Sequence, residues 1–310
     1  MAEQLLGNIG IIGSGLVGSR VIQHLTSYSH PLVTTNHFNV NDVNGCDVVV
    51  LAHGAPHAAL AAVLLGQGCH VVSCGDDLED TMTMLDLAPR AQSMGRALVV
   101  GAACSPGMTG LLVNHVSRAF DAMDEVHVAV HGTGGPRCAH QHHRNLAGTS
   151  VGWHDGEWLQ RPAGSGRELC WFPDPVNARD CYRHASAEPI LLQRIAPQLQ
   201  RITARVSATR RDRLTARLPM LSPPHKEGGV GALRVEARGT RNGVRHVEIV
   251  GMAERIASVA AAVAANAAHV LTTQSITPGV HALGAPELPN ADILDGVLAA
   301  GHTLHQFIGT

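Results

Sequence analysis

The sequence predicts an α/β protein, with a doubly wound, Rossmann-type parallel sheet and then a second α+β domain on a mixed or antiparallel sheet. Three observations carry this. Short continuous apolar runs alternate with helical patterns from residue 8 to about residue 104. The stretch NIGIIGSGLVGSRVIQHL places three glycines where a strand pattern gives way to a helix. From about residue 125 polar and apolar residues alternate instead, as they do in half-exposed strands.

The elements follow in order. NIGIIG is a buried strand, and Leu16, Val17, Val21, Ile22 and Leu25 then fall at helical spacing. After Pro31 comes a short apolar piece over residues 32–35, followed by the polar NHFNVNDVNG, too short for a further helix and strand. DVVVLAHG reads as a strand, APHAALAAVLLGQG as a helix ended by glycine, and CHVVSCGDD as a strand running into glycine and acids. TMTMLDLAPRAQSMG is helical with a break near Pro89, and RALVVGAA is the next strand. Parallel strands need crossover connections, so this grammar gives a sheet covered on both faces. Beyond it, DEVHVAVHGTG, RITARVSATRRDRLTARL, GALRVEARGT and VRHVEIVGM read as strands, with a hairpin turn in GTRNGVR. ERIASVAAAVAANAAHVLTTQ and ADILDGVLAAGHTLHQF read as helices that return to the first domain. The expected division is a dinucleotide domain over 1–124, completed by helices in 254–310, and a substrate and dimerisation domain over 125–253.

A chain of 310 residues with 45% hydrophobic content is long enough for a sizeable core. A formal charge of -2 and 3% aromatic residues offer nucleic acid little purchase. No early segment has the form of a signal peptide, and no uninterrupted apolar run of membrane-spanning length occurs that is not mostly alanine, so a cytoplasmic protein without membrane contact is expected. Seven scattered cysteines without C-x-x-C suggest reduced thiols rather than a disulfide framework or a zinc knuckle. Lys226 is the only lysine, and histidine reaches 20. Such a bias reflects genome composition before chemistry, so a local cluster of histidines is weighed against it.

Gly13-Ser14-Gly15-Leu16-Val17-Gly18 is the G-x-G-x-x-G pattern in its required setting between a strand and a helix. The first glycine permits the turn, the second lets a pyrophosphate approach bare backbone, and the third brings helix and strand together. A nicotinamide or similar dinucleotide is the expected cofactor. NAD sites usually carry an acid about 20 residues on, at the end of the second strand. Here that place reads Thr34-Thr35-Asn36-His37, with Arg20 on the first helix as a cation, which favours NADP over NAD.

VVVLAHGAPHAALAAVLLGQGCHVVSCGDD followed by ALVVGAACSPGMTGLLVNHVSRAFDAMDEVHVAV resembles the saccharopine dehydrogenase-like oxidoreductases and, more loosely, diaminopimelate dehydrogenase. The segment TTQSITPGVHALGAPELPNADILDGVLAAG is similar to their ending. The resemblance covers the layout of the whole chain through short motifs. It implies hydride exchange with a nicotinamide cofactor at a carbon bearing an amine or imine. It places Ala52, His53, Gly54, Cys74 and Gly75 near the cofactor's ribose and nicotinamide, and Ser105-Pro106-Gly107-Met108 at the cleft between domains. Those families often have an acid before Pro-Gly. This chain has Ser105.

The densest polar cluster is GTGGPRCAHQHHRNLAGTS, with Arg137, His140, His142, His143 and Arg144. Its paired histidines and later Gly-Thr resemble elements of dihydrodipicolinate reductases, without their lysine. His142 or His143 is the candidate proton donor or acceptor, with Arg137, His140, Arg144, Ser105 and Met108 the candidate substrate contacts. The alternative is a solvated helix face. His140 and His143 stand at helical spacing near Cys138, but no further ligand cluster accompanies them, so no metal is expected. Lys226, on a Pro- and Gly-rich loop, is a further acid or base candidate against a solvated surface lysine. Trp153, Trp158 and Trp171 are expected in the core. The overall expectation is an NAD(P)-dependent oxidoreductase of an amino-acid-like small molecule, homo-oligomeric by analogy. The alternative is a dinucleotide-binding sensor that has lost catalysis.

Overall fold

The computed structural model describes residues 6–36 and 40–307, so the expectation attached to His37 lies outside the described residues. Strand and helix alternate first through β1 (Ile9–Ile12), α1 (Leu16–Ser27), β2 (Leu32–Thr35), a 3-10 turn at Val40–Val43, β3 (Val48–Leu51) and α2 (Ala58–Gly66). They continue through β4 (His70–Ser73), α3 (Leu78–Leu85), α4 (Ala88–Ser93), β5 (Ala97–Val100) and α5 (Met108–Ser117). Every residue of β1, β3 and β5 is buried, which is why these strands are unbroken apolar runs: helices cover both faces of the sheet. The break between α3 and α4 falls just ahead of Pro89, which occupies the first turn of α4, where its missing N–H costs nothing.

The second part comprises β6 (Ala122–His131), α6 (Pro136–Asn145), β7 (Thr149–His154), β8 (Glu157–Pro162), β9 (Glu168–Trp171) and β10 (Ala178–Arg183). It continues with α7 (Glu188–Ile195), β11 (Arg201–Ser207), α8 (Arg210–Thr215), β12 (Val230–Arg241) and β13 (Val244–Arg255). The alternating run RITARVSATRRDRLTARL is thus only half strand. Thr209 stops it: its side chain accepts the Asp212 N–H while Asp212 accepts the Thr209 N–H, a reciprocal cap that starts α8. The β12–β13 hairpin turns at Asn242 and Gly243, both at positive φ (51° and 74°), the conformation that Asn-Gly supplies most cheaply.

The chain closes with α9 (Ile256–Thr273), β14 (Gly279–Ala282), α10 (Asn290–Ala299) and β15 (His305–Gln306). The wholly parallel first sheet has the order β14-β5-β4-β3-β1-β2. The second sheet runs β15-β13-β12-β6-β11-β10-β9, with β7 on β11 and β8 on β7; it is mixed, since β6 and β11 are parallel and its other pairs antiparallel. The C-terminal segment therefore returns more than helices: β14 adds a sixth parallel strand beside β5, and β15 extends the other sheet.

One apolar core runs through both parts, with α9 at its centre. This helix packs on α1, β3 and β4 on one side and on β12 and β13 on the other. Its alanines allow that close approach on all sides. Among the described residues it is the helix long and apolar enough to cross a membrane, and most of it is buried inside the protein. Of the tryptophans, Trp153 is half-buried and donates to the Leu199 carbonyl at 2.8 Å, whereas Trp158 and Trp171 are 45% and 58% exposed. The core expectation fails for those two because β8 and β9 lie at the outer reach of the sheet, where one face meets solvent.

Asn266, buried in α9, accepts the Tyr28 hydroxyl at 2.7 Å and donates to the Ala262 carbonyl at 2.8 Å. Gly296 of α10 sits directly on it, and a Cβ there would lie 1.9 Å from its Oδ1. Glycine to alanine in a helix interior is normally stabilising. Here Gly296→Ala is expected to destabilise by about 1–3 kcal/mol through overpacking, read as a lower denaturation midpoint.

Candidate functional site

The chain leaves β1 toward β2 on one side and then crosses to β3 on the other, so a crevice opens at the carboxyl ends of β1 and β3. The three glycines there have different physical duties. At Gly13 (φ +113°) a Cβ would lie 2.9 Å from the Ala52 carbonyl carbon and the His53 nitrogen, and at Gly18 it would lie 1.8 Å from the Gly13 oxygen. At Gly15 it would meet nothing within 4 Å. Gly13 and Gly18 are thus needed by the turn itself. Gly15 instead keeps clear the space before α1, whose first turn has no side-chain cap and whose positive end attracts phosphate. A dinucleotide's diphosphate fits that cradle.

From this turn a cleft of about 500 Å³ runs past Leu16 and Val17, past Ala52, His53 and Gly54 after β3, and past Cys74 and Gly75 after β4, to Cys104 and Ser105. Ser14 is exposed on the turn. Ile256, Ala257 and Ala260 of α9 and the start of α6 form the opposite wall. The loops are braced from beneath by His57, whose pKa is driven down to about 3 by burial and by neighbouring His53. Neutral, it has one N–H: Nε2 donates to the His53 carbonyl at 3.1 Å, and Nδ1 accepts the Ser73 hydroxyl at 2.8 Å. Ser73 Oγ in turn accepts the Gly75 N–H at 3.2 Å. Asp80 caps α2 from across the gap, accepting the His57 and Ala58 N–H groups at 2.7 and 3.0 Å. At the end of β2 the Thr35 hydroxyl donates to the Asp42 carboxylate at 2.8 Å. The acid absent from the strand end in sequence is thus present there in space. Asn36 is exposed, and one Arg20 guanidinium nitrogen is buried without a hydrogen-bond partner among the described residues.

Helix α6 ties the two parts together across the cleft. Arg137 lies against Gly54, where a Cβ would come within 2.2 Å of its Nε, and donates to the Ala55 carbonyl at 3.4 Å. Gln141 donates to Asp77 at 3.2 Å and accepts from Arg144 at 2.6 Å. His142 places Nε2 3.8 Å from Asp76 and 3.7 Å from the Cys138 sulfur. Burial works against a cation there, but Cys138 and Asp76 outweigh it and raise the His142 pKa to about 9. His184 shows the opposite case, since burial and then the His142 charge drive it down to about 3. Burial raises the Asp76 carboxyl against the pull of His142. Behind α6 lies a second chamber of about 700 Å³ over the mixed sheet, and His142 borders both spaces.

Ser105, at the cleft's far end, donates to Glu188 Oε2 at 2.5 Å, while Thr109 donates to Oε1 at 2.6 Å. Glu188 is 1% exposed. Burial pushes its carboxyl up to about 7 despite both hydroxyl bonds. The acid lacking beside Pro106 in sequence is delivered by α7.

The structure separates the other candidates. His143 is buried, with Nε2 3.0 Å from the carbonyls of both Thr215 and Leu218, so its N–H braces the segment after β11 and is turned from the cleft. His140 is exposed, and among the described residues no group of three His, Cys, Asp or Glu side chains is placed to hold a metal. Met108 is wholly buried in the core and does not line the cleft, because the first turn of α5 faces inward. Lys226 is exposed on its loop. Arg137 and Arg144 line the cleft with Ser105. Asp76, Gln141, His184 and Glu188 were not singled out by sequence; Asp76 alone left a trace there, as an acid closing CHVVSCGDD.

The glycine geometry predicts a separation. Gly15→Ala should fold with stability within about 0.5 kcal/mol of the parent, as surface changes do, but lose dinucleotide binding. Gly18→Ala should be destabilised severely by its clash with backbone. Melting and calorimetric titration check both.

No protein-family model and no curated protein matches the chain. Among solved structures it is similar to the apo, histidine-tagged saccharopine dehydrogenase (L-Glu forming) from Saccharomyces cerevisiae, at 13% identity and a TM-score of 0.66, over 97% of this chain and 100% of that one. It is also similar to the C. glutamicum DAP dehydrogenase in complex with DAP, at 15% identity and a TM-score of 0.51, over 96% and 99% of the two chains. An amine dehydrogenase from Mycobacterium smegmatis matches at 10% identity and a TM-score of 0.52, over 91% and 96%. The chain therefore has the two-part fold of the saccharopine, DAP and amine dehydrogenases, the fold that the sequence resemblance implies.

Proposed function

We propose that the protein is an NAD(P)-dependent oxidoreductase acting at a carbon that bears an amine or imine in an amino-acid-like substrate. The observation that carries the reading is the His142–Asp76 pair, a cation and a carboxylate 3.8 Å apart where the glycine-turn cleft meets the second domain. Paired fixed charges of opposite sign complement the carboxylate and ammonium of an amino acid, and Arg144 adds a second cation at the rim. The fold neighbours, among them an amine dehydrogenase and a DAP dehydrogenase, support the class by analogy.

The bound coenzyme supplies or takes up the hydride. The chain's residues do the rest. Gly13, Gly15 and the start of α1 receive the diphosphate, Arg137 and Gly54 bound the groove, and α9 gives it a dry apolar wall. At the ribose end, Asp42 beside Thr35 repels a 2′-phosphate and accepts from ribose hydroxyls, which shifts the balance that Thr35, Asn36 and Arg20 give NADP back toward NAD. Titration with both coenzymes reads the choice.

The test is a screen of coenzyme oxidation and reduction, followed by absorbance, against amino acids, amines, and keto acids with ammonia. Tight coenzyme binding with no turnover of any of them would favour the sensor reading. His142→Gln should leave coenzyme affinity unchanged and raise the KM of a carboxylate substrate about 10- to 100-fold, the worth of a charge-assisted hydrogen bond. The cation is present below about pH 9, so in the parent KM should climb as pH rises through that value, and in the variant it should not.

A further inference from the structure

His142 does not make a good proton donor near neutrality: its neighbours hold its proton up to about pH 9, whereas an efficient acid has a pKa near the working pH. The cleft needs another source. Glu188 is 1% exposed, and among the described residues no lysine, arginine or histidine lies within ion-pair distance of it. A carboxyl buried with only two hydroxyls as side-chain partners is poorly compensated as an anion. One of those hydroxyls, Ser105, lines the coenzyme cleft from the loop between β5 and α5, at the opposite end from the glycine turn.

The hydrogen bonding has two forms. As a carboxylate, Glu188 accepts from both Ser105 and Thr109 across the 2.5 and 2.6 Å contacts. As a carboxylic acid it has one hydrogen to give, so one hydroxyl must turn its own hydrogen elsewhere. Thr109 is wholly buried in α5, whereas Ser105 is half-buried and opens both on the cleft and on a polar cavity of about 10 Å³, the scale of a single water, shared with Asp76, His142 and His184. Only Ser105 has somewhere to direct a proton. Other titratable groups do not compete for the carboxyl. Cys104 adjoins it with a thiol that burial keeps protonated, and His184 is held neutral. His154 of β7, Arg201 and Arg205 of β11 and His281 of β14, on the other elements packed against α7, are bonded elsewhere, and His115 of α5 is exposed.

We propose that Glu188 and Ser105 form the proton relay of this cleft, with Glu188 protonated while the coenzyme's ring is neutral and ionised when that ring is cationic. The proposal rests on the function proposed above and deepens it. For an imine substrate, a C–H bond forms at carbon with the pair of electrons from the coenzyme as the C=N π bond breaks. The nitrogen takes the Ser105 proton, and Ser105 takes the Glu188 proton. The substrate is reduced, the coenzyme oxidised, Ser105 restored, and Glu188 left as the anion that balances the new ring charge. A proton from solvent resets it. The reverse reaction runs the same steps backward.

Coenzyme binding alone tests this. Calorimetric titration near pH 7, repeated in buffers of different ionisation enthalpy, counts protons. The native protein should release up to one proton more on binding the oxidised coenzyme than the reduced one. Glu188→Gln, which keeps the shape and the partners of both hydroxyls, should abolish that difference, while His142→Gln should keep it. Equal counts in native protein and Glu188→Gln would overturn the relay while leaving the oxidoreductase reading intact. Failure of either coenzyme to bind would sink that reading and the relay with it. The native protein gives a second measurement if Glu188→Gln does not fold: infrared difference spectra of the two complexes should show a protonated-carboxyl band with the reduced coenzyme that is lost with the oxidised one, and unchanged spectra count against the relay. Ser105→Ala should keep the proton count and lower turnover of an identified substrate by about 100-fold or more, the usual worth of positioned acid catalysis.

Discussion

Everything in the site depends on the burial of α9 between the two sheets. The first sheet supplies the glycine turn and the loops after β3, β4 and β5, and the second supplies α6 and α7, so the cleft is a seam between parts that would otherwise move independently. A single core passing through α9 removes that freedom, and the same helix lends Ile256, Ala257 and Ala260 to the cleft wall. Alanine is what makes this arrangement possible. Larger side chains would hold β3 and β4 away from the helix on one side and β12 and β13 on the other, and the reach of Gln141 to Asp77 and of Ser105 to Glu188 leaves no slack for it.

The seam sorts its ionisable groups by environment rather than by residue type. Two histidines whose ring centroids stand 6.3 Å apart diverge, His142 upward beside Asp76 and Cys138, His184 downward where it has only burial and a cationic neighbour. Two acids are raised, Asp76 against an opposing cation and Glu188 without one. Groups pushed apart in this way suit different tasks, and the proposed function gives them two: one holds charge for binding while another exchanges a proton near neutral pH. In folding terms Glu188 is a liability. Its native state binds a proton that the unfolded chain gives up from about pH 4.5, so stability falls as pH rises from there through about 7. A structural role offers no return for that loss, and a neutral residue would fill the space without it.

What the sequence disclosed follows from range. The glycine turn, the buried strands and the Asn-Gly hairpin are written in neighbouring residues, because φ above zero, unbroken apolar runs and helical spacing are local demands. The relation of α6 to the first part is not local, so the polar cluster was legible as a cluster while the outward, inward and cleftward directions of His140, His143 and His142 were not. Helix α7 has no readable period, since Glu188, Pro189 and Ile190 are all consistent with a loop entering a helix, and the four residues of β14 carry too little pattern to read as a strand. Met108 misleads for the same reason: its motif places it at the cleft, and one turn of helix rotates it into the core.

Two apparent absences show how far a linear motif can be trusted. The end of β2 lacks an acid in sequence, yet Asp42 reaches Thr35 from the 3-10 turn; the Pro-Gly loop lacks an acid, yet Glu188 reaches Ser105 from a different part of the fold. In both places a hydroxyl occupies the position where an acid was expected, and a carboxylate from elsewhere bonds that hydroxyl. Moving the acid back by one side chain changes its chemistry. A carboxylate at the cleft surface is solvated and stays ionised near pH 7, but the same group set behind a serine is desolvated, rises toward neutrality and reaches the cleft only through the serine's hydrogen. At residue 105 the carboxyl thus stands one hydroxyl back from the cleft, and the chemistry has to be read from the space around residue 105 rather than from the residue itself.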